Sequence, residues 1–308
     1  AAMLSTRTST ESPDRFRGLL QLLGMLLIAS LLSACMPRQL LVNSAADALT
    51  AQGQAAEEDL GLAREASAFY LKLSESVLKE TPANLKLAES VAAGFTQYAY
   101  AFVAFDAEKL ESQDAKASQR IRERAARLYL RANQHAMRAL EKTTPGFKQA
   151  LIQNDPQLLT RLRQDQVGVA YWAAASWGGF ISLSKDDPDK VADLPLAINL
   201  ATFAWKKNPD YGNGGLTSLM GTFEASRPGG SLTLAEKYFD QAIAQSKGES
   251  AGPWVAKAES IALKKQDQKI FTQWLNEAIQ IAKAHRNLEN EVMRERAMWL
   301  LETVDDLF

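Results

Sequence analysis

The sequence predicts an all-α protein built as a tetratricopeptide-like solenoid of degenerate helix-turn-helix repeats. Three observations predict it. Apolar residues recur every three or four positions over nearly the whole chain beyond Cys35, helix-start signals punctuate that pattern, and no segment alternates apolar and polar residues between turns as a strand would. The expected organisation is an export signal over 1–34, a lipid-anchored segment over 35–55 and a helical domain over 56–308.

The first segment is an address rather than a folded element. Arg7, Arg15 and Arg17 precede a largely apolar run from Gly18 to Leu32, and the small residues Ser33 and Ala34 follow it. A positive flank, a short apolar core and a small-residue exit make a secretory signal, and the run falls short of the roughly 20 residues that span a bilayer. Leu32-Ser33-Ala34-Cys35 resembles a lipobox, which assigns lipidation to Cys35. Two or three acyl chains, at about 0.8 kcal/mol per buried methylene, make a firm anchor. Met36 stands where an aspartate would signal inner-membrane retention in enterobacterial lipoproteins, so the expected location is the periplasmic face of the outer membrane.

Beyond that segment the helices follow in order. Leu62, Ala66, Phe69, Leu73 and Val77 form one apolar stripe and are expected to face the core; Ile121, Ala125, Leu128, Ala132, Ala136 and Leu140 form another. Thr81-Pro82, Asp155-Pro156 and Asp187-Pro188 read as capped helix starts with proline in the first turn, and Thr233 with Glu236 reads as a capping box. Ala197, Ala201, Ala204 and Pro209 fit the second helix and exit of one repeat. Met220-Gly221 with Ala235, Phe239 and Ala242 fit the next, and Trp254, Ala258 and Ile261 with Phe271, Leu275 and Ala278 a third. Ala204, Ala242 and Ala278 lie 38 and 36 residues apart, so the repeats are degenerate.

Composition narrows the function. Lys plus Arg total 35 against 36 Asp plus Glu, a net charge of -1, which favours no nucleic acid. One cysteine allows neither an internal disulfide nor a cysteine-rich metal site, and His135 and His285, expected on helix surfaces, form no metal-ligand spacing. No GxSxG, Walker A or GxGxxG sequence occurs, and no cofactor is implied. Ser182 to Lys185 matches a bare SxxK without its partner motifs, so the sequence reads as that of a binding protein, not an enzyme.

Large aromatics alternate with small residues from Ala170 to Phe180, and a second such group runs from Phe95 to Phe105. On helices such mixtures either pack tightly or wall an apolar cavity. Core packing is the default for each one alone.

The run from Tyr171 through Leu183-Ser184-Lys185, Asp193-Leu194-Pro195, Asn208-Pro209-Asp210-Tyr211-Gly212, Gly221, Arg227-Pro228 and Ala235 to Phe239 resembles the T-component family of tripartite ATP-independent periplasmic (TRAP) transporters, as does Glu291 to Phe308 with Arg294-Glu295-Arg296-Ala297. Thr217 stands where the family commonly has a histidine. The resemblance implies a lipoprotein of tetratricopeptide-like helices, a homotrimer with an apolar pore through each protomer, and association with the periplasmic solute-binding receptor. The expected occupant is an apolar or amphipathic small molecule, with Tyr98, Tyr171, Trp172, Trp177 and Phe223 as candidate pore residues. The alternative is a scaffold lipoprotein for an envelope assembly, with no small ligand.

Overall fold

In a computed structural model, residues 45, 46, 48, 49 and 57–308 are described; the export signal and Cys35 lie outside the described residues, as does most of the segment from 35 to 55. The described residues form helices and connecting turns, with no strand among them. In chain order the helices are α1 (Leu60–Glu80), α2 (Leu85–Tyr98), α3 (Phe105–Leu110), α4 (Ala115–Thr143), α5 (Phe147–Ile152), α6 (Leu158–Arg161), α7 (Val167–Ser182), α8 (Pro188–Val191), α9 (Leu194–Lys207), α10 (Gly215–Ser226), α11 (Leu232–Gln245), α12 (Gly252–Lys257), α13 (Leu263–Lys265), α14 (Gln268–Ala284), α15 (Leu288–Glu302) and α16 (Val304–Leu307). None of them is long and apolar enough to cross a membrane.

Capping explains where several begin, and it corrects part of the sequence reading. The Asp187 carboxylate accepts the Asp189 N–H at the start of α8, as expected. Thr81-Pro82 instead makes a turn, and Asn84 caps α2 through the Leu87 N–H. Ser231, not Thr233, caps α11, accepting the Leu234 N–H, because the helix starts two residues earlier than the Thr-Glu pair suggested. Asp155 accepts the Gln157 N–H in a turn ahead of α6.

The apolar stripe expected to anchor α1 faces outward. Leu62, Phe69 and Leu73 are 54%, 74% and 43% exposed, while Ala63, Leu71, Ser74, Glu75 and Leu78 face inward. Two contacts choose that face. Leu71 fills the notch left by Gly94, where a Cβ would meet it at 2.4 Å. Glu75, 2% exposed, is drawn in by partners from α4: the Arg131 guanidinium grips both carboxylate oxygens and His135 Nε2 donates at 2.7 Å, while Lys72 adds a contact at 2.8 Å. Charge-assisted bonds offset the desolvation of a carboxylate that periodicity alone would place in water. The same network takes His135 off the surface, where the sequence had put it.

Small residues set the central packing. Ala132, Ala136 and Ala139 on α4 share one buried core with Ala170, Ala173 and Ala174 on α7, and the two helices are in contact, while Ala125 packs in a separate cluster with Val103 and Ala104. The Tyr129 ring lies over Gly179, leaving no room for a side chain there. Further on, α10 pairs with α11, and the segment from α12 to α13 pairs with α14. The last long helix then returns to the first ones: α15 touches α1, Trp299 meets the edge of Phe105 with centroids 5.3 Å apart, and Arg286 pairs with Glu58 at 3.0 Å. The ends of the described chain therefore close on each other.

At Gly221 a Cβ would already meet the Phe239 ring at 3.0 Å, tighter than ordinary contact. Gly221→Leu is expected to cost about 1–3 kcal/mol by overpacking. A thermal midpoint equal to wild type would show that α10 and α11 do not meet in this register.

Candidate functional site

The site grows from one turn. Between α9 and α10 the chain passes through left-handed conformations at Gly212 (φ 66), Asn213 (φ 49) and Gly214 (φ 95). Gly214 needs glycine twice over, since a Cβ there would also stand 2.5 Å from the Ala242 carbonyl oxygen. Side chains clamp the turn from both sides. The Gln245 amide donates to the Pro209 carbonyl at 3.0 Å and to the Asp210 carboxylate at 2.8 Å. Thr217, fully buried, donates to the same Pro209 carbonyl and accepts the Trp205 indole N–H, each at 3.0 Å. The hydroxyl at 217 is thus a structural tie, and what it holds in place is Tyr211.

The Tyr211 hydroxyl donates to the Glu89 carboxylate of α2. That carboxylate lies over Gly168, where a Cβ would come within 2.1 Å of it. The Tyr171 ring stands 5.3 Å from Tyr211 and 4.7 Å from Trp172, centroid to centroid. The Tyr171 hydroxyl points at Gly215, where a Cβ would lie 3.3 Å away. Glu289, near the start of α15, lies within electrostatic reach of that hydroxyl and takes a hydrogen bond from Ser250 at 3.4 Å.

Burial is the largest influence on Glu89, Glu289 and Tyr171, and it pushes all three above their ordinary pKa values. Yet Glu89 and Tyr171 keep partial surface and Glu289 is exposed.

A second cluster closes the chain. The Arg296 guanidinium, 8% exposed, binds Glu259 through two contacts at 2.6 and 3.0 Å and Glu108 at 3.0 Å. It also lies 5.3 Å from the Tyr100 ring centroid and 5.5 Å from that of Phe105. Tyr100 and Glu259 both sit in π-helical turns, Ala99–Ala104 and Ala258–Ala262, where the extra residue re-aims a side chain that a regular helix would point elsewhere. Burial raises Glu108 while Arg296 opposes that shift, and the two carboxylates hold Arg296 well above its ordinary value.

Of the residues singled out from the sequence, Tyr171 and Trp172 come together, both partly buried against the main core. Tyr98 lies elsewhere, edge-on to Phe102 with centroids 5.5 Å apart. Trp177 is half-buried against the main core, and Phe223 is in the core, 4% exposed, with its ring filling the space above Gly178. Ser182 donates to the Gly179 carbonyl at 2.8 Å, a helix-end bond that uses its hydroxyl. Sequence reading passed over Glu89, Tyr211, Glu289, Tyr100 and Arg296 as site residues. The glycines of the turn marked Tyr211; nothing local distinguishes Glu89 from a solvated helix glutamate. Among the described residues no group of His, Cys, Asp or Glu is placed to hold a metal ion.

A helical protein whose last long helix packs back against its first ones is the class this geometry defines. Residues 56–308 match the TRAP transporter T-component family, and the chain belongs to it. It is 26% identical over 265 residues to an uncharacterized protein of Treponema pallidum (strain Nichols), an alignment covering 82% of this chain and 81% of that protein. Membership gives the chain an accessory role in a TRAP transport system, in a family of transporter components rather than of enzymes.

The raised Glu89 carboxyl gives a signed prediction. Its folded pKa lies above the ordinary value of 4.5, so the folded state is favoured while the group is protonated and loses that advantage as pH climbs from 4.5 through the folded value. Glu89→Gln keeps an acceptor for Tyr211 and removes the charge. The variant is expected to match wild-type stability near pH 4 and to exceed it at pH 7.5. Thermal melts at the two pH values check this, and a shift of equal size at both would contradict it.

Proposed function

We propose that the protein is a lipid-anchored periplasmic accessory component of a TRAP-type uptake system that holds an apolar or amphipathic small molecule in a chamber walled by Tyr171, Trp172 and Tyr211 and engages the periplasmic solute receptor. Family membership supplies the transport context. What supports the ligand reading is the ring cluster itself, in which Tyr171 stands 4.7 Å from Trp172 and 5.3 Å from Tyr211 and all three are only partly buried. We read the helix pairs α10–α11 and α12–α14 as degenerate tetratricopeptide-like units, with a homotrimer as the assembly that the family implies. Lipidation of Cys35 would anchor the protein at the periplasmic face of the outer membrane. Ala46 is fully buried in the main core, eleven residues beyond Cys35. A fully extended tether of that length spans about 36–40 Å, which keeps the body beside the membrane where a transporter's partners meet.

A scaffold that takes no small ligand draws on one observation, the outward apolar stripe of Leu62, Phe69 and Leu73 on α1. That stripe fits a protein contact under either reading, so the chamber separates them. Binding of a fluorescent apolar probe, measured together with thermal stability, is the test. Tyr171→Ala and Trp172→Ala are expected to weaken the probe at least tenfold while remaining folded. Phe223→Ala, a core truncation, is expected to lose about 3–5 kcal/mol of stability. Unchanged probe affinity in both chamber variants, or no binding by wild type, would favour the scaffold.

A further inference from the structure

We propose that the cavity lined by the last turns of α1 and α4 is a binding site for a phosphate group, held by Lys79, Arg138 and Lys142 with His135 in the cavity wall. It lies apart from the Tyr171 ring cluster and stands whether or not that cluster takes a ligand.

The cavity has a volume of about 230 Å³ and is lined by Leu78, Lys79, Pro82, His135, Arg138 and Lys142. Three of those six are cations, and among the described residues no carboxylate lines it. Sequence spacing and one ion network bring them together. His135, Arg138 and Lys142 stand three and four residues apart on α4, so they share a face of that helix. Lys79 of α1 joins them because Glu75, one turn earlier, is tied to Arg131 and His135 of α4.

The cations there differ from the others on this surface. Elsewhere the chain answers a surface cation with an acid: Lys109 with Asp106, Arg122 with Glu111, Lys190 with Asp187, Lys265 with Glu236. Lys79, Arg138 and Lys142 have no ion-pair partner among the described residues. Two acids of the same helices are committed elsewhere, Glu75 to Arg131, Lys72 and His135, and Glu141 to the Gly146 and Lys148 N–H groups. A helix dipole favours a cation in the last turn, which accounts for Lys79 and Lys142 one at a time. It does not account for Arg138, more than a turn further in, or for the histidine between them.

His135 is the second observation. Its side chain is 8% exposed, and Nε2 donates to Glu75. Nδ1 has no hydrogen-bond partner among the described residues, although the residue lines the cavity. That nitrogen is left to serve what enters. Neutral, it accepts the O–H of a protonated phosphate; charged, it donates to a phosphate oxygen. The donor set favours phosphate over carboxylate. A phosphate spreads more charge over more oxygens, accepts a guanidinium through two of them at once and still has one for an ammonium. Leu78 and Pro82 give the cavity an apolar edge for the group that carries the phosphate.

The phosphate could belong to a free solute or to a lipid head group, and the experiment separates the two. The full chain in phosphatidylcholine nanodiscs, with empty discs subtracted, is titrated by calorimetry at pH 7.5. The probes are glycerol 3-phosphate, succinate, and glycerophosphoglycerol, the water-soluble head group of phosphatidylglycerol. The better of the two phosphate compounds is expected to bind at least tenfold more tightly than succinate. A preference for the monoester assigns the site to a free phosphate ester; binding of the diester as tightly or more so assigns it to a lipid head group. Arg138→Gln with Lys142→Gln should weaken the better compound at least tenfold. Lys206→Gln with Lys207→Gln, the same change of charge on exposed side chains of α9, should leave it within twofold. All four side chains are exposed, so both variants are expected to melt as wild type does. No binding by either phosphate compound, succinate binding as tightly as the better one, or an equal loss in the two double variants would overturn the site.

Discussion

Arg296 sits between two parts of the chain that are far apart in sequence, with Glu259 on one side and Glu108 on the other and the Tyr100 and Phe105 rings beside it. A guanidinium this enclosed must be fully paired, because removing one partner of a buried ion pair typically costs about 3–5 kcal/mol. Such a pair adds little net stability over a well-packed apolar substitute, so its value here is geometric. It fixes which helix of the C-terminal part meets the π-helical turn after α2, and the Trp299–Phe105 contact supports the same closure. An open run of helix pairs would present a concave face to water; a closed one encloses a space.

The proposed chamber depends on that closure. Glu289 comes from α15, the helix that carries Arg296, while Glu89, Tyr171 and Tyr211 come from α2, α7 and the turn before α10. Four separate segments therefore contribute to it. Small residues permit the approach: Gly168 admits the Glu89 carboxylate and Gly215 the Tyr171 hydroxyl.

The all-helical class was legible because apolar period and helix-start signals agree along the chain. So were the α9, α10–α11 and α12–α14 core positions, where Ala197, Ala201, Ala204, Phe239 and Phe271 are fully buried. The α1 face was not. Both of its faces carry apolar residues, and the choice was made by Glu75 finding Arg131 and His135 some sixty residues away, a non-local ion network that periodicity cannot see. Likewise the π-helical turns leave no pattern in the sequence, yet they aim Tyr100 and Glu259 at Arg296. The aromatic-small alternation held Tyr171 and Trp172, which the fold sets beside each other with Tyr211 next to Tyr171, whereas Phe223, a candidate from outside that alternation, packs in the core. Glu89 and Glu289 become distinctive only once the fold shows which carboxylates lack a cation.

Hydrogen exchange on Arg296→Ala tests the closure most directly. If Arg296 holds the two ends together, amides in α15 and in Phe105–Leu110 should lose protection together, although Arg296 and Glu108 are 188 residues apart. Loss confined to the helix that carries the substitution, with Phe105–Leu110 as protected as in wild type, would contradict it.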